Sequence, residues 1–475
     1  RIAKYDMNND GFLDNPLAKQ INILNRWQYT NAQKGWVSFV NFRYMNDKKQ
    51  TGQLGFVPNR DRLTTNFWGS EINTERVDVS TKVGYVFPEM PFQSIGFQNA
   101  YNSHNQESYF GLNQYNIKQK SYYSNLIFNS IIENTMNKFS TGFNFAYDNY
   151  GEFVNLKDYS RTDNSIGTFF EYTYDNTSNF SVILGGRVDN HNRLGTFFTP
   201  RLHIRYNPWE KGVIRFSAGR GIRSANIFAE NQQLFGSSRT FEILNSNGKI
   251  YGLNPEIAWN YGLSFSQKFL LFNKNGDIGF DFYRTDFQNQ VVVDLYQGPQ
   301  KVLFYNLNGK SFANSLQFEF NYELAKHFNL RTAYKYYDIQ TDYQYVTQER
   351  PLQAKHRFFG NLEYQTHLLD DGKQWKFDFT INWLGKQRLP TTISNSAIDS
   401  MPDYSPSFSV MNMQISRIFS STFEIYVGGE NIGNYKQEKA ILGSSNPFGS
   451  NFETSIIYAP IFGQMYYAGL RYKIK

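Results

Sequence analysis

The 475-residue chain contains no cysteine, so a disulfide framework, a thiolate metal site and a cysteine nucleophile are all excluded. No run of about 18 apolar residues occurs, which excludes a transmembrane helix. The N-terminus lacks the cationic-then-apolar pattern of a secretory signal, and Arg1 reads as an internal residue. Blocks of one charge sign are missing as well: 48 basic and 41 acidic residues interleave, for a net charge of +7. Without clustered Lys and Arg there is no nucleic-acid footprint, and the charges read as a mixed lumen and loop surface. Catalytic signatures are equally scarce. The six histidines are scattered and no H-E-x-x-H motif occurs. Asn308-Gly309-Lys310-Ser311 imitates the end of a phosphate-binding loop, but Phe304 stands where the leading glycine belongs.

What the chain does have is aromatic residues, 18 % of the total, in a sequence whose mean hydropathy is only −0.56. They alternate with polar residues. In 376–383, Phe377, Phe379, Ile381 and Trp383 fall on one face of an extended strand; Lys376, Asp378, Thr380 and Asn382 fall on the other. The same parity sends Leu316, Phe318, Phe320 and Tyr322 one way and Gln317, Glu319 and Asn321 the other. It likewise separates Phe358, Leu362 and Tyr364 from Arg357, Asn361 and Glu363. Near the end, Tyr466, Ala468, Leu470, Tyr472 and Ile474 oppose Arg471 and Lys473. No helical pattern is available to cover the aromatic faces. The expected fold is therefore all-β, a transmembrane antiparallel barrel with lipid outside and a polar lumen.

Turn chemistry adds orientation. Short Gly-, Asn-, Asp- or Pro-rich connections at 31–35, 176–179, 207–212, 273–276 and 370–373 alternate with long ones at 48–70, 108–116, 152–163, 223–252, 343–354, 388–404 and 436–461. Short turns belong on the periplasmic side and long loops outside. About 19 strands fit between them, each able to span the ~9–11 residues of a tilted membrane strand; one is expected over 302–323. The first short turn at 31–35 places residues 1–17 in an extracellular loop and residues 18–475 in the barrel. Bacterial barrels have even strand numbers, so an odd count implies a parent with more strands. A 22-stranded transporter would supply three before residue 1.

Three stretches resemble the TonB-dependent outer-membrane receptors. Residues 455–473, with Tyr458-Ala459-Pro460 and Tyr466-Tyr467-Ala468-Gly469-Leu470-Arg471-Tyr472-Lys473, look like that family's last strand. Gly429-Glu430-Asn431-Ile432-Gly433-Asn434-Tyr435-Lys436-Gln437 looks like its penultimate one. Pro200-Arg201-Leu202-His203-Ile204-Arg205-Tyr206, followed by Arg215–Asn226, resembles its mid-barrel segment. The chain departs from the family at Ile474-Lys475, where an aromatic terminus is commoner, and it shows no counterpart of the N-terminal plug or the TonB-contacting segment. The resemblance implies an outer-membrane transporter for a scarce large substrate such as a metal chelate, cobalamin or an oligomeric nutrient. Its implied partners are membrane lipid, a plug segment, the TonB–ExbB–ExbD machinery, the transported molecule and a surface lipoprotein. It is not expected to be an enzyme. Alternatives are a passive porin and a barrel acting as a surface adhesin or partner-binding platform.

Few residues stand out as site candidates. Asp6, Asn8, Asp10 and Asp14 have the early spacing of a calcium loop, with Gly11 at the sharp turn but Leu17 where a bidentate Glu belongs. The competing reading is a polar loop with local turns; apart from such a structural calcium no cofactor is required. Arg220, Arg223, Asn226 and Glu230 cluster where a strand opens into the longest mid-chain loop, as ligand or gate contacts at the mouth or as fixed polar packing. Tyr109, Phe110, Phe235, Tyr251, Tyr343, Tyr345, Phe448 and Phe452 could stack on a ligand, or pack loop on loop. Met411 and Met413 share a strand face, which reads as ordinary packing or, as the alternative, a soft-metal contact.

Overall fold

The structure, a computed structural model, describes residues 4–344, 346–369, 371–393 and 395–474. Among these, one sheet of 21 strands carries most of the regular structure. Two of its strands, Lys157–Asp158 and Thr347–Glu349, are short pieces paired to the loop ends of longer neighbours. The remaining 19 run up and down in chain order, all antiparallel. The fold is the expected all-β membrane barrel wall, with the expected number of long strands.

Parity is kept from row to row because a one-residue slip would turn every side chain to the wrong face. Phe377 lies opposite Tyr364 and Ile415, and Phe379 opposite Leu362 and Met413. Met411 and Met413 thus belong to the outward apolar rows. On the other face Asp378 lies opposite Glu363 and Gln414, and Asn361 Nδ2 donates to Asp378 Oδ2 at 3.0 Å. Phe318 stands between Phe280 and Tyr334, while its inward neighbour Gln317 stands between Asp281 and Lys335. A single outward row runs Phe42, Val79, Tyr101, Tyr122, Tyr147 across five strands. At the last strand Arg471 Nη1 donates to Glu424 Oε2 at 2.6 Å on the polar face, as the alternation requires. Lumen-facing polar groups find partners across the ladder, and aromatic bodies are left for the bilayer.

The wall is uneven in height. Asn134–Val154 has 21 residues, about 70 Å of extended chain. That is more than twice the ~25 Å apolar band, so this side of the wall projects well beyond the membrane. The strands Phe423–Glu430 and Met465–Tyr472 have only eight each.

Two loop expectations and one strand expectation are corrected. The connection 108–116 is almost all strand: pairing continues to Phe110 and resumes at Asn113, across a turn made by Gly111 at φ +61° and Leu112. Residues 152–163 shorten likewise, with strands reaching Val154 and restarting at Arg161. In both places side chains pack inward on the loops while the ladder continues beneath them, so aromatic and charged residues there did not mark a chain break. The strand expected over 302–323 is two. Lys301–Asn306 leaves the wall and Ser311–Ala325 belongs to it, with Gly309 at φ +135° between them.

Lys301–Asn306 joins a second sheet of three strands, parallel to Thr240–Ile243 and antiparallel to Val291–Asp294. This sheet lies in the loops, and so does the main hydrophobic core. Phe12, Trp68, Phe110, Tyr115, Phe228, Phe235, Val302, Phe304 and Phe452 are buried in one cluster. Those residues come from all round the wall, so the long loops converge into a crown. The crown also joins the wall's two ends: Phe12 and Phe452 ring centroids are 5.8 Å apart, and Lys436 Nζ donates to the Met7 carbonyl at 3.3 Å. Below it, Leu17–Asn31 pairs with Trp36–Gly52 on one side, and Met465–Tyr472 with Phe423–Glu430; among the described residues their outer edges have no strand partner.

Candidate functional site

The crown's polar interior is held by a few charged clusters. Strand Gly212–Arg223 ends as the chain turns into the 3-10 helix Ala229–Gly236. At this junction Arg223 donates to both oxygens of Glu230, at 2.9 and 3.1 Å, and to Glu256 Oε2 at 2.6 Å. Glu230 also accepts the Asn226 backbone N–H at 3.1 Å. Three of the four residues singled out in sequence are therefore one cluster. Arg220 is not in it. The two are three positions apart, which puts them on opposite faces of the strand.

Asn226 links this cluster to a hub that sequence reading missed. Its Oδ1 accepts from Arg161, whose side chain is 5 % exposed. Arg161 also donates to Glu152 Oε2 at 3.1 Å, to Asp163 Oδ2 at 3.1 Å and to the Tyr251 hydroxyl at 2.9 Å. Tyr150 and Tyr251 rings flank the guanidinium at 4.0 and 4.9 Å. Burial, and then the charge of Glu152, push the Tyr251 hydroxyl well above its ordinary value, so it stays protonated and donates to Glu152. The hub ties the mid-chain loop to the wall strands Asn134–Val154 and Arg161–Asp175.

A second buried pair binds three loops together. Arg239 Nε donates to Glu453 Oε2 at 2.6 Å, with side chains 1 % and 5 % exposed. Arg239 Nη1 reaches the carbonyls of Gly298 and Lys301, both at 3.1 Å. Close by in sequence, buried Gln437 donates to the Lys439 and Ile456 carbonyls at 2.8 Å and accepts from the Tyr458 N–H at 2.9 Å. Pairing in this part ends at Glu430, so Asn434 to Gln437 belong to the crown and not to the penultimate strand.

The loop aromatics pack on one another. Phe235 lies against Phe110 and Tyr115 at 5.8 and 5.4 Å, Tyr251 against Phe228 at 5.6 Å, Tyr343 against Tyr296 at 4.9 Å, and Phe452 against Trp68 at 5.2 Å. Tyr109 is buried and donates to Glu71 at 2.7 Å, and Phe448 packs on the main cluster. Tyr345 lies outside the described residues. A recess of about 340 Å³ opens between residues 385–407 and 431–464, lined by Leu389, Met401, Tyr435 and Tyr458, with Lys436 and Glu438 on it. Its apolar and aromatic wall with a few charges is the ordinary composition of a small-molecule contact surface.

In the 6–14 loop the oxygens of the four expected ligands meet backbone N–H groups. Asp6 accepts from Asp10 and Gly11 at 3.2 and 3.0 Å, Asn8 from Asp10 at 3.3 Å, Asp10 from Phe12 at 2.9 Å and Asp14 from Met7 at 2.7 Å. Burial raises the carboxyls of Asp10 and Asp14 above their ordinary range, and the charges of neighbouring aspartates add to it. Among the described residues no group of three or more His, Asp or Glu is placed to hold a metal ion.

Comparison with known proteins places the arrangement. Residues 3–432 match the family model described as TonB dependent receptor-like, beta-barrel. No curated protein matches the chain. Among solved structures, a mutant of the ferric enterobactin receptor PfeA from Pseudomonas aeruginosa aligns with TM-score 0.66 at 13 % identity, covering 96 % of this chain and 69 % of that one. The siderophore receptor PiuA from Acinetobacter baumannii aligns at 0.64 and 12 %, over 98 % of this chain and 75 % of its own. FpvA of P. aeruginosa, bound to a heterologous pyoverdine–iron complex, aligns at 0.66 and 11 %, over 96 % and 65 %.

Proposed function

Because this chain belongs to the TonB-dependent receptor β-barrel family, whose members are outer-membrane transporters and not enzymes, we propose that it is the wall and capture crown of an importer for an iron–siderophore complex. The carrying observation is the family match over residues 3–432; the siderophore cargo is suggested by the names of the fold's neighbours. The crown supports the reading. Loops from round the wall meet in one core, while the Tyr435–Tyr458 recess offers a contact surface for a chelate. Three further strands between the unpaired edges of Leu17–Asn31 and Met465–Tyr472 would complete a 22-stranded barrel. A plug within that lumen, moved by TonB–ExbB–ExbD, would admit the cargo, and a surface lipoprotein would dock on the crown. A passive porin fits less well, because its mouth would not carry a buried aromatic core.

The test is uptake of radio-iron by cells expressing the whole receptor, with ferric enterobactin and ferric pyoverdine as probes. Saturable uptake of one probe that stops when TonB is deleted supports the proposal. Uptake that continues without TonB, or of neither probe, overturns it.

A further inference from the structure

Arg220 has no part in the crown, and its surroundings assign it another role. It lies on the outward face, one step beyond the Arg201–Gly219 pair on one side and opposite Trp259 on the other. It is half-buried near the loop end of its strand, level with Asp286, which pairs opposite Trp259. That end faces away from the short periplasmic turns, so the residue stands at the outer-leaflet border. A cation on the lipid face costs roughly 2–4 kcal/mol at mid-membrane and little at the border, which makes the border the tolerable place for it. Its hydrogen-bond partners there are neutral: Nε donates to Gln288 Oε1 at 3.2 Å and Nη1 to the Phe198 carbonyl at 3.0 Å. Among the described residues it has no carboxylate partner. Arg284, on the same outward face, is different: Asp286 neutralises it through two bonds of 2.9 and 2.6 Å.

Beside Arg220 the outer wall is hollow. A groove of about 840 Å³ runs over small residues, Gly186 and Ala218, between the larger Phe170, Leu184, Phe198 and Trp259. Its depth depends on Gly186, where a Cβ would come within 2.9 Å of the Phe198 ring. An apolar trough whose border residues Phe198 and Trp259 adjoin an uncompensated guanidinium matches an amphiphile with an acyl chain and an anionic head.

We propose that this face holds one phosphorylated lipid of the outer leaflet, its phosphate on Arg220 and an acyl chain over Gly186 and Ala218. The site is independent of what the barrel transports. Native mass spectrometry of the whole receptor in detergent, titrated with bis-phosphorylated lipid A and with the same lipid dephosphorylated, tests it. The expected result is one retained phosphorylated lipid per barrel, with occupancy about tenfold lower for the dephosphorylated lipid or for Arg220→Gln, the scale of one lost charge-assisted hydrogen bond. Arg220→Lys should keep most of the retention. Ala218→Phe, which fills the groove, should lower binding of both lipids. Arg284→Gln is the control, expected to bind like the parent, and all variants are first checked for an unchanged thermal midpoint. Equal retention by Arg220→Gln and the parent, or an equal loss with Arg284→Gln, would overturn the assignment and leave only a non-specific lipid annulus.

Discussion

The membrane belt and the loop crown of this molecule are held together in different ways. In the belt, one rule repeats over 19 strands: apolar side chains out, polar ones in, each paired with a like neighbour across the ladder. Stability there is spread thinly over many equivalent contacts. The crown has irregular backbone, a compact aromatic core and two buried charge clusters centred on Arg161 and Arg239. Its integrity depends on a few residues.

The largest effect should come from splitting a crown pair. Arg239→Met leaves Glu453 buried with its main cation gone, a loss on the order of 3–5 kcal/mol. Hydrogen exchange should rise in residues 231–243 and 446–456 while the belt stays protected. Adding Glu453→Met should recover much of the loss, because an apolar pair is often as stable as a buried ion pair. Exchange rising equally in the belt would erase the distinction between the two regions.

Next in size is a charge placed on the wrong face of the belt. Phe379→Lys should cost roughly 2–4 kcal/mol in reversible folding into liposomes, because the residue meets lipid. Thr380→Lys, one position on and facing the lumen, should stay within about 0.5 kcal/mol. Equal costs would show that the parity is misassigned.

The smallest effect belongs to the 6–14 loop. Asp10 and Asp14 have folded values raised above the unfolded 3.8. Their ionisation therefore works against the folded loop at neutral pH. Stability from these groups should rise as pH falls through the folded values and stop rising once it is below 3.8. Exchange at the Gly11 and Phe12 amides, corrected for intrinsic rates, should slow over that window. At neutral pH, calcium that slows the same amides would show that the loop binds the ion; unchanged exchange would leave it with Asx turns alone.

Sequence alone was a good guide to the belt because side-chain parity is written locally, two residues at a time. Residues 316–322, 357–364 and 376–383 face as their alternation requires. The crown was mostly illegible. Glu152 and Arg161, or Arg239 and Glu453, meet only after the wall has curled, and nothing in their own segments marks them as partners. Phe110 and Tyr115 looked like loop residues because their aromatic character serves the crown, although their backbone belongs to strands. Arg220 was grouped with Arg223 by closeness in sequence, whereas strand geometry puts a three-residue neighbour on the other face.

The central claim is that the crown belongs to a gated importer and not to an open pore. The most direct measurement is ion conductance of the whole receptor in planar bilayers. A closed wall is predicted to pass no steady current, and current should appear when Arg161→Met and Arg239→Met loosen the crown and urea releases what lies beneath it. Steady porin-sized steps from the unaltered protein would contradict the account.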